Sequence, residues 1–412
     1  MVCAFFFDSS SRSHVAPILL ALSLLAGCAS APPRVAPLPS DLAGQGTILG
    51  QEGIRTWGDE KPRSLEWWAS ASDEEIIRQY SGIMHKEHVY LALSGGGENG
   101  AFTAGLLAGW TKRGDRPEFT IVTGVSTGAL IAPFAFLGSE YDDEVSYVYT
   151  HYAMEDLVER RKVRNIVFND AVAESTPMQQ MIERYMTPEV MGKIAYEYRN
   201  GRRLYMGTTN IDAGRSVLWD IGEIANSGEP GALELIRKIM RASASIPVGI
   251  PPVVFEVEVD GRTYEELHVD GGVTEQVFLY PIGLDWDLIE RRLRIRGTPT
   301  AYIIRNGYVE ADWETVERKL VPLAGRTIDM LIRTQSIGDL YRMYLATQRD
   351  GIDFRLAKIP VEFRDSVEDQ SGLGYMKALY HFAYQAALAG YPWVEAPPGL
   401  AAAEKTEPVA AP

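Results

Sequence analysis

Residues 89–137 constrain this chain more than any other stretch. Val89-Tyr90-Leu91-Ala92-Leu93 is a continuous apolar run of the kind found in strands covered on both faces. Ser94-Gly95-Gly96-Gly97-Glu98-Asn99-Gly100 follows as a glycine-rich turn, and small residues from Ala101 to about Lys112 then read as a helix. A second strand over 119–123 runs into Gly124-Val125-Ser126-Thr127-Gly128 and another apolar helix. Strand, turn, helix, repeated at once, predicts two neighbouring parallel strands joined by a right-handed crossover. Both turns then lie at the carboxyl ends of adjacent strands, where open α/β sheets place their sites. Ser126 is expected beside the glycine loop.

The rest of the chain is organised around that unit. Residues 15–27 form an uncharged apolar run, too short for a permanent membrane span and ending in small residues, so 1–27 read as a secretory signal. Leu25-Ala26-Gly27-Cys28 resembles the bacterial lipobox, whose cysteine is acylated and becomes the mature amino terminus. With Ala29 rather than Asp after Cys28, the pattern resembles that sorted to the outer membrane of the cell envelope. Cys3 leaves with the signal, so no intramolecular disulfide is expected. Residues 28–40, rich in Ala and Pro, suit a tether; 41–85 form an amino-terminal extension in which Ser72 and Glu75 can make a capping box.

The main domain is expected over 86–395 and a disordered tail over 396–412. Helices are predicted over 142–163, 176–186, 232–241, 327–349 and 374–388, and strands over 203–209, 215–220, 253–258, 263–269, 299–305 and 354–359. Asp260-Gly261 marks a hairpin whose second strand delivers Asp270-Gly271-Gly272. A formal net charge of −15 argues against nucleic acid as a partner and supplies no polybasic patch for anionic membranes.

Three groups of residues carry chemistry. Gly-x-Ser-x-Gly between a strand and a helix puts a serine on a sharp strained turn, with Gly124 and Gly128 letting neighbouring backbone pass close to Ser126. The alternative is a serine helix cap with turn glycines. Gly95-Gly96-Gly97 bares backbone amides at a helix start, fit for the oxyanion of an acyl-transfer intermediate. A phosphate is disfavoured, because no Gly-Lys-Ser or Gly-Lys-Thr closes the loop and Glu98 repels it.

Ser126 also needs a base. Asp270 ends a strand with two glycines after it, and as a base it requires contact with Ser126 and partial desolvation. His381 is the histidine that follows Asp270, as the Ser-Asp-His order of α/β-hydrolases requires, but it sits inside a carboxy-terminal helix. His268 shares a strand face with Asp270 and breaks that order.

Together, 94–101, 124–128 and 270–272 resemble, in order and spacing, the glycine-rich loop, nucleophile elbow and Asp-Gly motif of patatin-like phospholipases. The segment 241–253 is similar to the family's stretch before its aspartate, and the resemblance covers roughly 88–280. It implies a three-layer α/β/α sandwich with a mostly parallel central sheet and a Ser126–Asp270 dyad. It also implies an oxyanion hole from Gly95, Gly96 and Gly97, with no cofactor and no metal. The expected activity is lipid acyl hydrolysis, by a phospholipase or carboxylesterase reaction through an acyl-Ser126 intermediate, confined near a bilayer by lipidated Cys28. Many members carry Arg or Lys where Asn99 stands, so the choice between phospholipid and other esters stays open. Two alternatives stand beside this: an esterase with a His381 triad, and a non-catalytic lipid-binding lipoprotein of the envelope.

Overall fold

The computed structural model describes residues 36–400, apart from 63, 158, 161–172, 282, 312, 369 and 370. The signal segment, Cys28 and most of the tether lie outside the described residues, as do 401–412.

Nine strands form one sheet: β1 (Arg55–Trp57), β2 (Val89–Leu93), β3 (Ile121–Val125), β4 (Arg203–Asn210), β5 (Arg215–Asp220), β6 (Val253–Val259), β7 (Arg262–Asp270), β8 (Thr300–Arg305) and β9 (Asp353–Lys358). The spatial order is β1-β5-β4-β3-β2-β8-β9, with β7 pairing both β4 and β6. From β4 to β9 the strands are parallel, whereas β1, β5, β6 and β7 pair antiparallel. Five strands are thus parallel, as expected of the central sheet, and the antiparallel strands lie along one side of them. The antiparallel strands need only short turns, such as Asp260-Gly261, where both residues take positive φ.

Alternate residues of the central strands serve opposite faces. Leu91 and Leu93 join one apolar cluster, Tyr90 and Ala92 another. Helices α1 (Gly100–Arg113), α2 (Thr127–Leu137), α5 (Ala232–Ser243) and α7 (Gly372–Leu388) belong to the first cluster. The amino-terminal helices Ser64–Ser70 and Asp73–Tyr80, helix Trp286–Leu293 and the latter half of α6 (Leu320–Arg349) belong to the second. Three layers result, as expected. Helices α3 (Asp142–His151) and α4 (Thr176–Tyr185) extend the first layer over the ends of the strands. Among the described residues no helix is long and apolar enough to cross a membrane.

The two ends of the chain depart from expectation. Ala36 and Leu38, assigned to the tether, exchange backbone hydrogen bonds with Glu265 on β7. The extension 41–85 joins the main sheet, because its β1 pairs with β5. Disorder does not begin at Ala396: that residue is buried, and the Tyr341 hydroxyl donates to the Pro398 carbonyl.

Candidate active site

Strand register brings Ser126 and Asp270 together. Along one edge β4 pairs with β3 as far as Val125↔Gly207, and the next residue, Thr208, pairs with Asp270 at the end of β7. The carboxyl ends of β3 and β7 thus meet beside β4, one carrying Ser126 and the other Asp270.

Ser126 has φ 54° and ψ −125°, a strained conformation for a residue with a side chain. Neighbouring backbone explains why glycine flanks it. A Cβ on Gly124 would lie 2.5 Å from the Gly128 carbonyl oxygen, and one on Gly128 would lie 2.3 Å from that of Leu93. The turn is held from outside: the Ser126 N–H donates to Ser243 Oγ at 2.9 Å, and the Ser243 hydroxyl donates to the Gly207 carbonyl at 2.6 Å. Ser243 closes α5 within the 241–253 segment; its long-range role left no local sequence signal.

Asp270 is buried, and its Oδ1 accepts the Gly272 N–H at 2.7 Å. Burial pushes its carboxyl up to about 6, while the neighbouring Ser126 hydroxyl and the Gly272 N–H pull it back down. Its Oδ2 has no partner of full hydrogen-bond geometry among the described residues. The pair is therefore a hydroxyl beside a carboxylate with spare accepting capacity and a pKa near neutrality, suited to taking the serine proton.

The glycine loop lies against this pair, since a Cβ on Gly95 would come within 3.2 Å of Ser126 Cβ. Its three amides are not equivalent. Gly95 N–H donates to the Gln276 carbonyl at 3.0 Å and is spent. Gly96 and Gly97 N–H donate to no described residue. Among the described residues, Gly96 and Gly97 N–H are thus the amides of this glycine run left open to a ligand. Gly96 has φ 154°, and a Cβ there would sit 2.1 Å from the Asn306 carbonyl oxygen. Asn306 also ties the loop down, donating from its N–H to Ser94 Oγ at 2.8 Å and from Nδ2 to the Ser94 carbonyl at 3.0 Å.

Gln276 joins the two halves of the site. Its carbonyl holds Gly95, its Nε2 donates to the Gly272 carbonyl at 2.7 Å, and its own N–H donates to Asp339 of α6 at 2.7 Å. No motif marks Gln276, Asn306 or Asp339, because each acts through contacts far apart in sequence. Asn99, the position that departs from the family pattern, accepts the Tyr375 hydroxyl at 2.7 Å, and Glu98 accepts the Gly372 N–H at 2.8 Å. The start of α7 thus clasps the loop.

Neither histidine joins Ser126. His381 is exposed on α7 and does not line the Ser126 cavity, contrary to the triad alternative. His268 is buried with both ring nitrogens engaged. Thr208 Oγ1 accepts from Trp219 at 2.8 Å, so its own proton goes to His268 Nδ1 at 2.9 Å, leaving Nε2–H for Glu266 at 3.2 Å. Burial holds that ring's pKa below the usual histidine value, against the pull of Glu266.

Ser126 and Gly97 line an apolar cavity whose walls also include Leu130 and Phe134 of α2, Val148 of α3, Met178 and Ile182 of α4, and Met240 of α5. A larger cavity of ≈ 580 Å³ lies on the other face of the sheet, lined by Trp57, Trp67, Tyr80 and Arg203, away from Ser126. Among the described residues no cluster of three or more His, Cys, Asp or Glu could hold a metal ion.

Residues 91–281 match the family model described as patatin-like phospholipase. No curated protein matches the chain. Among solved structures, VipD from Legionella pneumophila is similar at 11% identity and a TM-score of 0.36, over 74% of this chain and 67% of that one.

Proposed function

We propose, from the patatin-like phospholipase domain that residues 91–281 form, that this protein is a lipid acyl hydrolase with Ser126 as nucleophile and Asp270 as its general base. The observation that carries the reading is Ser126 lining an apolar cavity beside a buried Asp270 whose carboxyl is raised to about 6.

The chemistry follows from the positions. Asp270 takes the hydroxyl proton as Ser126 Oγ attacks the ester carbonyl carbon, and the new oxyanion is held by the Gly96 and Gly97 N–H groups. Collapse breaks the bond to the alcohol, which leaves with the proton from Asp270. The acyl chain, now on Ser126, lies along the apolar walls. Water, deprotonated by Asp270, attacks the acyl-enzyme and restores the serine. Each methylene buried in the cavity contributes ~0.8 kcal/mol, so selectivity is for esters with an apolar acyl chain.

The same reading extends to place: export, acylation at Cys28 and retention on the outer membrane hold the enzyme next to its substrate. This rests on the apolar run 15–27 and the Leu25-Ala26-Gly27-Cys28 segment. An acidic chain gains little from charge at an anionic bilayer, so a covalent anchor supplies the attachment.

The test is hydrolysis of dissolved nitrophenyl butyrate by the full chain, by Ser126→Ala and by Asp270→Asn, with melting temperatures recorded. Turnover that disappears in the first, and falls by at least about a hundredfold in the second with the fold intact, supports the reading. Equal rates in all three overturn it and leave lipid binding without catalysis.

A further inference from the structure

Between α5 and β6 the chain crosses residues 244–252, a stretch with no charged side chain. Ile250 N–H donates to the Ile246 carbonyl at 2.8 Å, closing a tight turn with Val248 near its tip. Val248 has φ 70°, the left-handed region, where a β-branched residue is strained, and it is 65% exposed. Glycine would relieve that strain, and so exposed a side chain gains little from packing. An apolar side chain held outward against its backbone preference points to a role outside folding.

Its place names that role. Ile246 and Ile250 line the Ser126 cavity, and the Asp270 N–H donates to the Ser245 carbonyl at 2.9 Å, which fixes the base of the loop to the catalytic turn. Val273, at the end of the turn after Asp270, is 44% exposed, and Ile246 is 37% exposed. Ile246 is therefore both a wall of the cavity and exposed at the surface, and it carries the apolar lining out to the loop that bears Val248.

We propose that loop 246–250, with Val248 at its tip, is the surface by which this protein seats on a lipid layer, so that an acyl chain passes from bilayer to Ser126 without crossing water. The inference rests on the acyl hydrolase reading. Continuity with the acyl cavity selects a lipid surface over a second copy of the chain. The uncharged loop and the net charge of −15 select apolar insertion over attraction to anionic head groups.

The experiment presents one chromophore in two forms to the full chain: nitrophenyl butyrate in solution, and nitrophenyl palmitate in phosphatidylcholine vesicles. Val248→Ser and Val248→Gly are each expected to lower the vesicle rate about tenfold, the worth of withdrawing one valine from an apolar phase. Their rates on dissolved butyrate stay within about twofold of wild type, since Val248 touches neither Ser126 nor the cavity. Val248→Gly is expected to melt above wild type, whereas a side chain needed for folding would lower the melting temperature of both variants.

Unchanged vesicle rates overturn the proposal, as does a wild-type dimer that Val248→Ser dissociates in the absence of lipid. Should wild type and Ser126→Ala be equally inert on dissolved butyrate, the acyl hydrolase reading has failed. Cosedimentation with phosphatidylcholine vesicles then tests the loop alone: weaker binding by Val248→Ser supports it, and equal binding overturns it.

Discussion

Asp270→Asn should inactivate the protein and stabilise it at once. In the folded chain the Asp270 carboxyl sits at about 6 against an ordinary 3.8, with burial as the main cause. Each pH unit of such a shift is worth about 1.4 kcal/mol, so carrying the charge costs the folded state ~3 kcal/mol once the residue is ionised in both states. The folded value lies above the unfolded one, so the advantage of a neutral side chain appears as pH rises. Below 3.8 the aspartic acid is protonated in both states and the two proteins match. Between 3.8 and about 6 the unfolded chain ionises first and the gap opens; above that range it stays at its full size.

Asparagine keeps an Oδ1 to accept the Gly272 N–H, so the turn survives the substitution. Glu223 and Glu275, both raised to about 7, are common to the two proteins and cancel in the comparison. Urea unfolding of both chains at pH 8 and at the lowest pH where wild type stays folded measures the gap. A difference of ~3 kcal/mol at pH 8 that shrinks on acidification is expected. A variant no more stable than wild type at pH 8, or equally stabilised at every pH, would refute the burial argument.

Other consequences are independent of that one. kcat/KM should rise with pH along a limb centred near 6, because only the carboxylate can accept the serine proton; a flat profile would remove Asp270 as base. Ser243→Ala leaves the Ser126 N–H and the Gly207 carbonyl unpaired, so urea unfolding should show a loss of ~2 kcal/mol, and steady-state kinetics should show kcat falling more than KM changes. Gly128→Ala drives a methyl to 2.3 Å from the Leu93 oxygen and should cost ~3 kcal/mol or more by thermal melts, or prevent folding. His381→Ala should hydrolyse nitrophenyl butyrate within about twofold of wild type, since the residue lies on the exposed side of α7.

Much of the layered core was legible because its strands and turns carry local signals. Val89–Leu93 is apolar throughout and was bounded to the residue. Asp260-Gly261 announced its hairpin, and the Ser72–Glu75 capping box formed as its spacing required. The antiparallel edge was less legible: β1 spans only Arg55–Trp57, too short for a period to register. Helix Pro188–Arg199 went unread although Thr187 caps it and Pro188 opens it, both usable signals. α6 begins at Leu320 rather than near Thr327, because Pro322 falls in its first turn, where a proline is tolerated.

The site divides in the same way. Ser126, Asp270 and the glycine loop lie in short motifs that declare their own backbone geometry. That Gly95 gives its amide to Gln276, leaving Gly96 and Gly97 free, depends on a residue far along the chain, and no spacing encodes it. Ser243, Asn306 and Asp339 stayed hidden for the same reason.

Covalent labelling tests most directly whether Ser126 is the nucleophile that Asp270 activates. The full chain would be treated with an alkyl fluorophosphonate, which loses fluoride to an activated serine, and its peptides weighed. One adduct is expected, on the peptide carrying Ser126, forming faster as pH rises through about 6, absent in Ser126→Ala and slowed at least about a hundredfold in Asp270→Asn. No adduct, or one that persists in Ser126→Ala, would contradict the account.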